Sequence, residues 1–180
     1  GLSMRVGVNS GSIEKDLLQK HGYPKPECMV ESALRHCEWL ERCGFRDIIV
    51  SIKSTNTQWM IESYRRWAAA SDIPTHLGVT EAGLPGYGEI KSAIGIGSLL
   101  CDGIGDTIRV SLTGDKAIEV RAAFDILKAT GVRVQTPELI ACPECGRIAI
   151  DLKKIVNEVK ERIKDVKVPI KIAILGCAVN

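Results

Sequence analysis

The stretch Met4-Arg-Val-Gly-Val-Asn9 decides the architecture, because its two faces differ in kind. Side chains alternate across a strand, so Arg5, Gly7 and Asn9 share one face and Val6 and Val8 the other. The same contrast recurs in three later runs. In Asp47–Lys53, Ser51 and Lys53 oppose Val50 and Ile52. In Thr75–Thr80, His76, Gly78 and Thr80 oppose Leu77 and Val79. In Thr107–Leu112, Thr107, Arg109 and Ser111 oppose Ile108, Val110 and Leu112. Strands of an open parallel sheet, covered by helices on both faces, read as continuous apolar runs. One apolar face and one small, polar or cationic face predict a barrel instead, its outside packed on helices and its inside lining a polar site.

Helical patterns fill the intervals. Pro24 and Pro26 precede Met29, Val30, Ala33, Leu34, Cys37 and Leu40 on one stripe. Thr55–Ala70 and Glu89–Cys101 follow, and then Asp115–Thr130, closed by Gly131 as a C-cap. Strand and helix in alternation mean βαβ units on a parallel sheet. A full (β/α)8 barrel takes about 250 residues, so four units are half of one. Both ends of the 180-residue chain lie flush with strand-like runs, and it is read as a fragment. After a boundary near Val132–Glu138 the pattern changes. Pro137–Ala141 leads into Cys142-Pro-Glu-Cys145, an amphipathic helix carries Leu152, Ile155, Val156, Val159, Ile163 and Val166 on one stripe, and Ile170–Leu175 reads as a strand.

Lys and Arg number 24 against 22 Asp and Glu, so no global charge calls for nucleic acid. The apolar runs are strand-sized, which gives no transmembrane helix. Seven cysteines, an odd number, disfavour a closed disulfide framework. Cys28, Cys37, Cys43 and Cys101 fall in helical patterns and read as small buried hydrophobes.

Two constellations carry chemistry. Arg5, Lys53 and Arg109 all project inward, with Asn9, Thr80 and Ser111 toward the C-terminal strand ends, where barrel sites lie. Three like charges in one lumen are costly without neutralisation. A phosphate-rich ligand supplies it through charge-assisted bonds, and acidic side chains from elsewhere are the alternative. Glu81, next to Thr80, is the carboxylate placed to work as an acid, or else a loop or helix-capping carboxylate. The second constellation is Cys142 and Cys145 with the distant Cys177. Three thiolates with one position open suit a [4Fe–4S] cluster, and a zinc knuckle completed by outside ligands is the alternative. Gly95-Ile-Gly97 and Gly103-Ile-Gly105 match no nucleotide-loop pattern and read as close packing and a turn.

Seven blocks then fall in one order: Met4 to Lys15, Ser51-Ile-Lys-Ser54, His76-Leu-Gly-Val-Thr-Glu-Ala-Gly83, Lys91 to Gly97, Gly103 to Leu112, Cys142-Pro-Glu-Cys-Gly-Arg147 and Gly176-Cys-Ala-Val-Asn180. Together they resemble the 4-hydroxy-3-methylbut-2-enyl diphosphate synthase family of non-mevalonate isoprenoid synthesis. The resemblance implies the C-terminal half of a (β/α)8 TIM-like barrel over residues 1–134, followed over 135–180 by the start of a small α+β [4Fe–4S] domain. It implies reductive opening of 2-C-methyl-D-erythritol 2,4-cyclodiphosphate. Arg5, Asn9, Lys53, Thr80, Arg109 and Ser111 look like its substrate-binding set and Glu81 like its catalytic proton donor. Cys142, Cys145 and Cys177 look like cluster ligands, the family's fourth ligand, a glutamate, falling past Asn180. Ferredoxin or flavodoxin would deliver electrons to a head-to-tail homodimer in bacterial cytoplasm or plastid stroma. A phosphate- or pterin-binding barrel transferase with a structural zinc knuckle is the competing reading.

Overall fold

The computed structural model describes residues 1–177. The chain divides into two compact units, Gly1–Val132 and Arg133–Asn180.

In the first unit β1 (Met4–Asn9) pairs in parallel with β2 (Ile48–Lys53), Gly7 opposite Ser51 and Asn9 opposite Lys53. A parallel bridge from Val50 to Thr75 leads on to β3 (His76–Leu77), and β3 pairs in parallel with β4 (Thr107–Ile108). The spatial order thus follows the chain order, all strands parallel. A doubly wound sheet would reverse direction at a switch point; an arc of a barrel does not. The expectation of half a (β/α)8 barrel is met only to this extent: no barrel closes among the described residues, whose six strands form three separate two-stranded sheets.

The helices form where the sequence supplies both an apolar stripe and a start signal. α1 (Lys15–His21) is one short element that periodicity did not announce, with Leu17 alone buried. α2 (Pro26–Arg42) begins with Pro26, whose missing N–H is no loss in a first turn. It buries Met29, Ala33 and Cys37. α3 (Thr57–Ala70) starts where the Asn56 carboxamide accepts a hydrogen bond from Trp59 N, and α5 (Lys116–Ala129) where Asp115 accepts one from Ala117 N. α4 (Tyr87–Cys101) lies close on the strands, because a Cβ on Gly95 would stand 2.8 Å from Val79 Cγ2.

The core sits between the helices and one face of the strands. Val6, Val8, Val50, Ile52, Leu77, Val79, Val110 and Leu112 meet Met29, Met60, Tyr64, Trp67, Ile96 and Leu99 in one buried cluster. The Tyr64 hydroxyl donates to His76 O and accepts from Ile52 N, tying β2 to β3 from behind. The opposite face, with Arg5, Gly7 and Asn9, stays exposed. β3 and β4 are shorter than the runs expected at Thr75–Thr80 and Thr107–Leu112. One further ladder bond, Arg109 N to Leu77 O, follows, and the chain then turns at Thr80–Glu81, with Glu81 at φ 51°. Cys28 and Cys37 are buried as expected, but Cys43 and Cys101 are exposed, because each falls at the C-terminal end of its helix, past the packed turns.

The second unit is one βαβ element. β5 (Glu138–Ala141) and β6 (Lys171–Ile174) pair in parallel, joined through α6 (Leu152–Ile163), which the Asp151 carboxylate caps at Lys154 N.

Candidate functional site

Register places the polar side chains. With Asn9 opposite Lys53, and Arg109 N bonded to Leu77 O, the inward side chains converge on one cavity of about 430 Å³. All six expected ligand contacts, Arg5, Asn9, Lys53, Thr80, Arg109 and Ser111, line it, with Gly7, Val8 and Ser51. Glu81 is not among the lining residues; it sits exposed in the turn beyond Thr80. Its φ of 51° is the only positive value at a non-glycine residue among the described residues. Such a conformation is uncommon for a side chain with a Cβ, and outliers of this sort cluster where function fixes a loop.

None of Arg5, Lys53 and Arg109 has an ion-pair partner among the described residues. Their mutual repulsion is visible in their neighbours. Burial, then the positive charges of Arg109 and Arg5, push the Lys53 ammonium below its ordinary range. Three cations in one cavity without an acidic partner among the described residues call for neutralisation, by a bound anion or by acidic side chains from elsewhere in the whole protein.

Two residues of this site were not singled out as functional from the sequence. Gly78 gives Lys53 room: a Cβ there would stand 2.8 Å from Arg109 O and 3.4 Å from Lys53 Nζ. His76 hydrogen-bonds Thr107 Oγ1 through Nδ1 at 2.8 Å, while its Nε2 is buried without a partner among the described residues. Burial, and then Lys53, Arg5 and Arg109, lower its pKa from 6.5 to about 4. Both were on the inward face by alternation, but their roles depend on cross-strand register. A pH prediction follows. Between pH 6.5 and about 4 the unfolded imidazole takes up a proton that the folded one refuses. His76 therefore costs the chain stability as pH falls through that window, and contributes nothing above it. The difference in denaturation midpoint between the wild type and His76→Gln should be constant above pH 7 and move against the wild type below pH 6; parallel curves across the whole range would refute the assignment.

The second unit gathers the three remaining cysteines. Cys142 leaves the end of β5, with its N–H bonded to Ile174 O, and Cys177 lies just past β6. Ala149 N donates to Gly176 O, and a Cβ on Gly176 would meet Ile148 Cγ1 at 2.7 Å, so the two loops are closely knit. Cys142, Cys145 and Cys177 line one cavity of about 130 Å³. The backbone N–H of Arg147, and then its side chain, hold the Cys145 thiol below its ordinary range, favouring thiolate. Among the described residues no three His, Cys, Asp or Glu side chains stand close enough together to hold a metal ion. Three thiol donors around one cavity are compatible in kind with an iron–sulfur cluster, and equally with a zinc knuckle completed by outside ligands; His21, His36 and His76 all lie in the first unit.

Residues 1–124 match the family model described as "GcpE TIM-barrel domain", and residues 138–180 match "GcpE protein C-terminal domain". Among curated relatives, a 4-hydroxy-3-methylbut-2-en-1-yl diphosphate synthase (flavodoxin) of Symbiobacterium thermophilum is 52% identical over 180 residues, covering 100% of this chain and 49% of the relative. The protein of that name from Aquifex aeolicus is 51% identical, covering 100% of this chain and 50% of the relative. The one from Clostridium perfringens is 54% identical over 179 residues, covering 99% and 51%. The chain thus spans about half the length of the curated relatives it matches. The matches carry the barrel-domain assignment; they do not carry the expectation that these units are the C-terminal half of the barrel.

Proposed function

The chain belongs to the GcpE family, and we propose that within its whole protein it holds substrate and cluster for reductive opening of 2-C-methyl-D-erythritol 2,4-cyclodiphosphate to 4-hydroxy-3-methylbut-2-enyl diphosphate. The observation that carries this reading is the cavity in which Arg5, Lys53 and Arg109 meet without acidic partners. A cyclic diphosphate brings the charge that these three lack. Arg5 and Arg109 present planar donor forks to phosphate oxygens, and Lys53 a compact point charge. Asn9, Thr80 and Ser111 add uncharged hydrogen bonds that fix the ring's orientation. Glu81, at the turn after Thr80, supplies the proton for the hydroxyl that leaves as water.

Cys142, Cys145 and Cys177 would hold three irons of a [4Fe–4S] cluster. When bound, that cluster supplies the two electrons the ring opening consumes, one at a time. The relatives' names carry flavodoxin, which supports a flavodoxin donor. We place the protein, as a homodimer, in bacterial cytoplasm or plastid stroma.

Anaerobic reconstitution with ferrous iron and sulfide tests the reading. The chain should turn brown, with broad visible absorption that dithionite bleaches, and Cys142→Ser should lose most of the iron. A colourless protein that takes up zinc instead would favour the transferase with a zinc knuckle.

A further inference from the structure

The second unit carries the chain's net positive charge. Between Arg133 and Asn180 nine Lys and Arg face six Asp and Glu, a net charge of +3, whereas the first unit has 15 against 16. The excess is not spread evenly. On α6, successive residues turn by 100°, which brings Lys153, Asn157, Lys160 and Lys164 into one exposed column. Glu158 and Glu161 fall on the other flank, and Leu152, Ile155, Val156 and Val159 face the unit's interior.

This column is not accounted for by the helix alone: Lys160 and Lys164 suit its C-terminal end, but Lys153 does not suit its start. Lys153 stands in the first turn, which contains no acidic residue, so its charge opposes the positive end of the helix dipole. Lys160 and Lys164 are like charges at i and i+4, a repulsive spacing. Lys164 has one partner, Glu161, at 3.1 Å; Lys153 and Lys160 have no ion pair among the described residues. A segment that breaks a local rule without local compensation marks a surface kept for something else. α6 also starts next to the thiols. Ile148 lines the cysteine cavity, Ala149 bonds Gly176 O, and the helix begins at Leu152.

We propose that the Lys153–Lys160–Lys164 column of α6 is the docking face for an acidic, flavin-carrying electron-donor protein. The inference rests on the reading of the chain as a cluster-holding reductase. Encounters between redox proteins are small and transient, and complementary charge steers them. A column beginning beside the cysteine loop brings such a carrier to the thiols and lets it leave again.

The test is binding of purified flavodoxin with oxidised FMN to the 180-residue chain, by calorimetry at low ionic strength and again at about 0.5 M salt, where screening is strong. Binding should weaken with salt. Combined reversal of Lys153, Lys160 and Lys164 to Glu should weaken it by at least about tenfold, with neutral Gln replacements intermediate. Lys15→Glu, on the first unit, should leave affinity unchanged. Far-UV circular dichroism checks that α6 persists; should the triple reversal unfold it, Lys153→Gln with Lys160→Gln decides. Flavodoxin bound equally well by the reversed or Gln variants, binding indifferent to salt, or no binding by the wild type would each overturn the docking face. Iron content, measured on the same samples, separates the two readings. A brown wild type that ignores flavodoxin refutes only the docking; an iron-free wild type refutes the cluster, whatever flavodoxin does.

Discussion

Replacing Arg109 by alanine is expected to weaken pyrophosphate binding to the chain by about 10- to 100-fold, the loss of one hydrogen-bonding partner that carries charge. The site predicts a selective defect. Arg109 is exposed, it has no ion pair among the described residues, and its main chain stays in the ladder through the bond from its N–H to Leu77 O. Truncation therefore removes a guanidinium without opening a cavity, and thermal stability should change little. His76 offers a second readout. Arg109 is one of the three cations that depress the His76 pKa, so the alanine variant should let His76 titrate at higher pH, visible in its imidazole resonances. Arg109→Lys keeps the charge and loses the fork, and should fall between the two. Unchanged pyrophosphate affinity in Arg109→Ala would remove the anion from the account of this cavity.

Gly78→Ala should be a damaging small change at the cavity of the first unit. Its Cβ would stand 2.8 Å from a backbone oxygen, Arg109 O, which cannot swing aside, and 3.4 Å from Lys53 Nζ. Strand β4 must shift, and overpacking of this kind costs about 1–3 kcal/mol. The shift would carry Arg109 with it and crowd Lys53 Nζ slightly, so anion affinity should fall along with stability. Gly97→Ala is the built-in contrast. Gly97 lies inside α4 with only Thr130 Cγ2 near its virtual Cβ, at 3.8 Å. Alanine there should stabilise by about 0.5–1 kcal/mol, because it restrains the unfolded chain and favours the helix. Urea midpoints moving in opposite directions are the expected result; similar shifts for both would show that the close approach at Gly78 is relieved at no cost.

These features differ in how far the sequence announces them. Two-residue alternation in Met4–Asn9 is a local property, and β1 has those bounds. The same alternation brought the six polar residues to one face, and hence to one cavity. What alternation cannot give is register between strands. Gly78 and His76 matter because of what lies across from them, Arg109 O and the Thr107 hydroxyl, roughly thirty residues further on. The short α1 was missed because seven residues with one buried side chain make almost no periodic signal. Cys43 and Cys101 were misjudged because periodicity places a residue on a stripe without saying that the stripe has run past the core. The spacing of Cys142 and Cys145 marked them as partners at once, whereas Cys177 joins their cavity only because parallel pairing brings the ends of β5 and β6 together.

Glu81 has a consequence for engineering. Holding a residue with a Cβ at φ 51° costs about 1 kcal/mol that glycine would not incur. A directed-evolution campaign selecting this chain for heat resistance alone should drift toward Gly or Asn at position 81, and its winners would be sturdier proteins without the proposed proton donor.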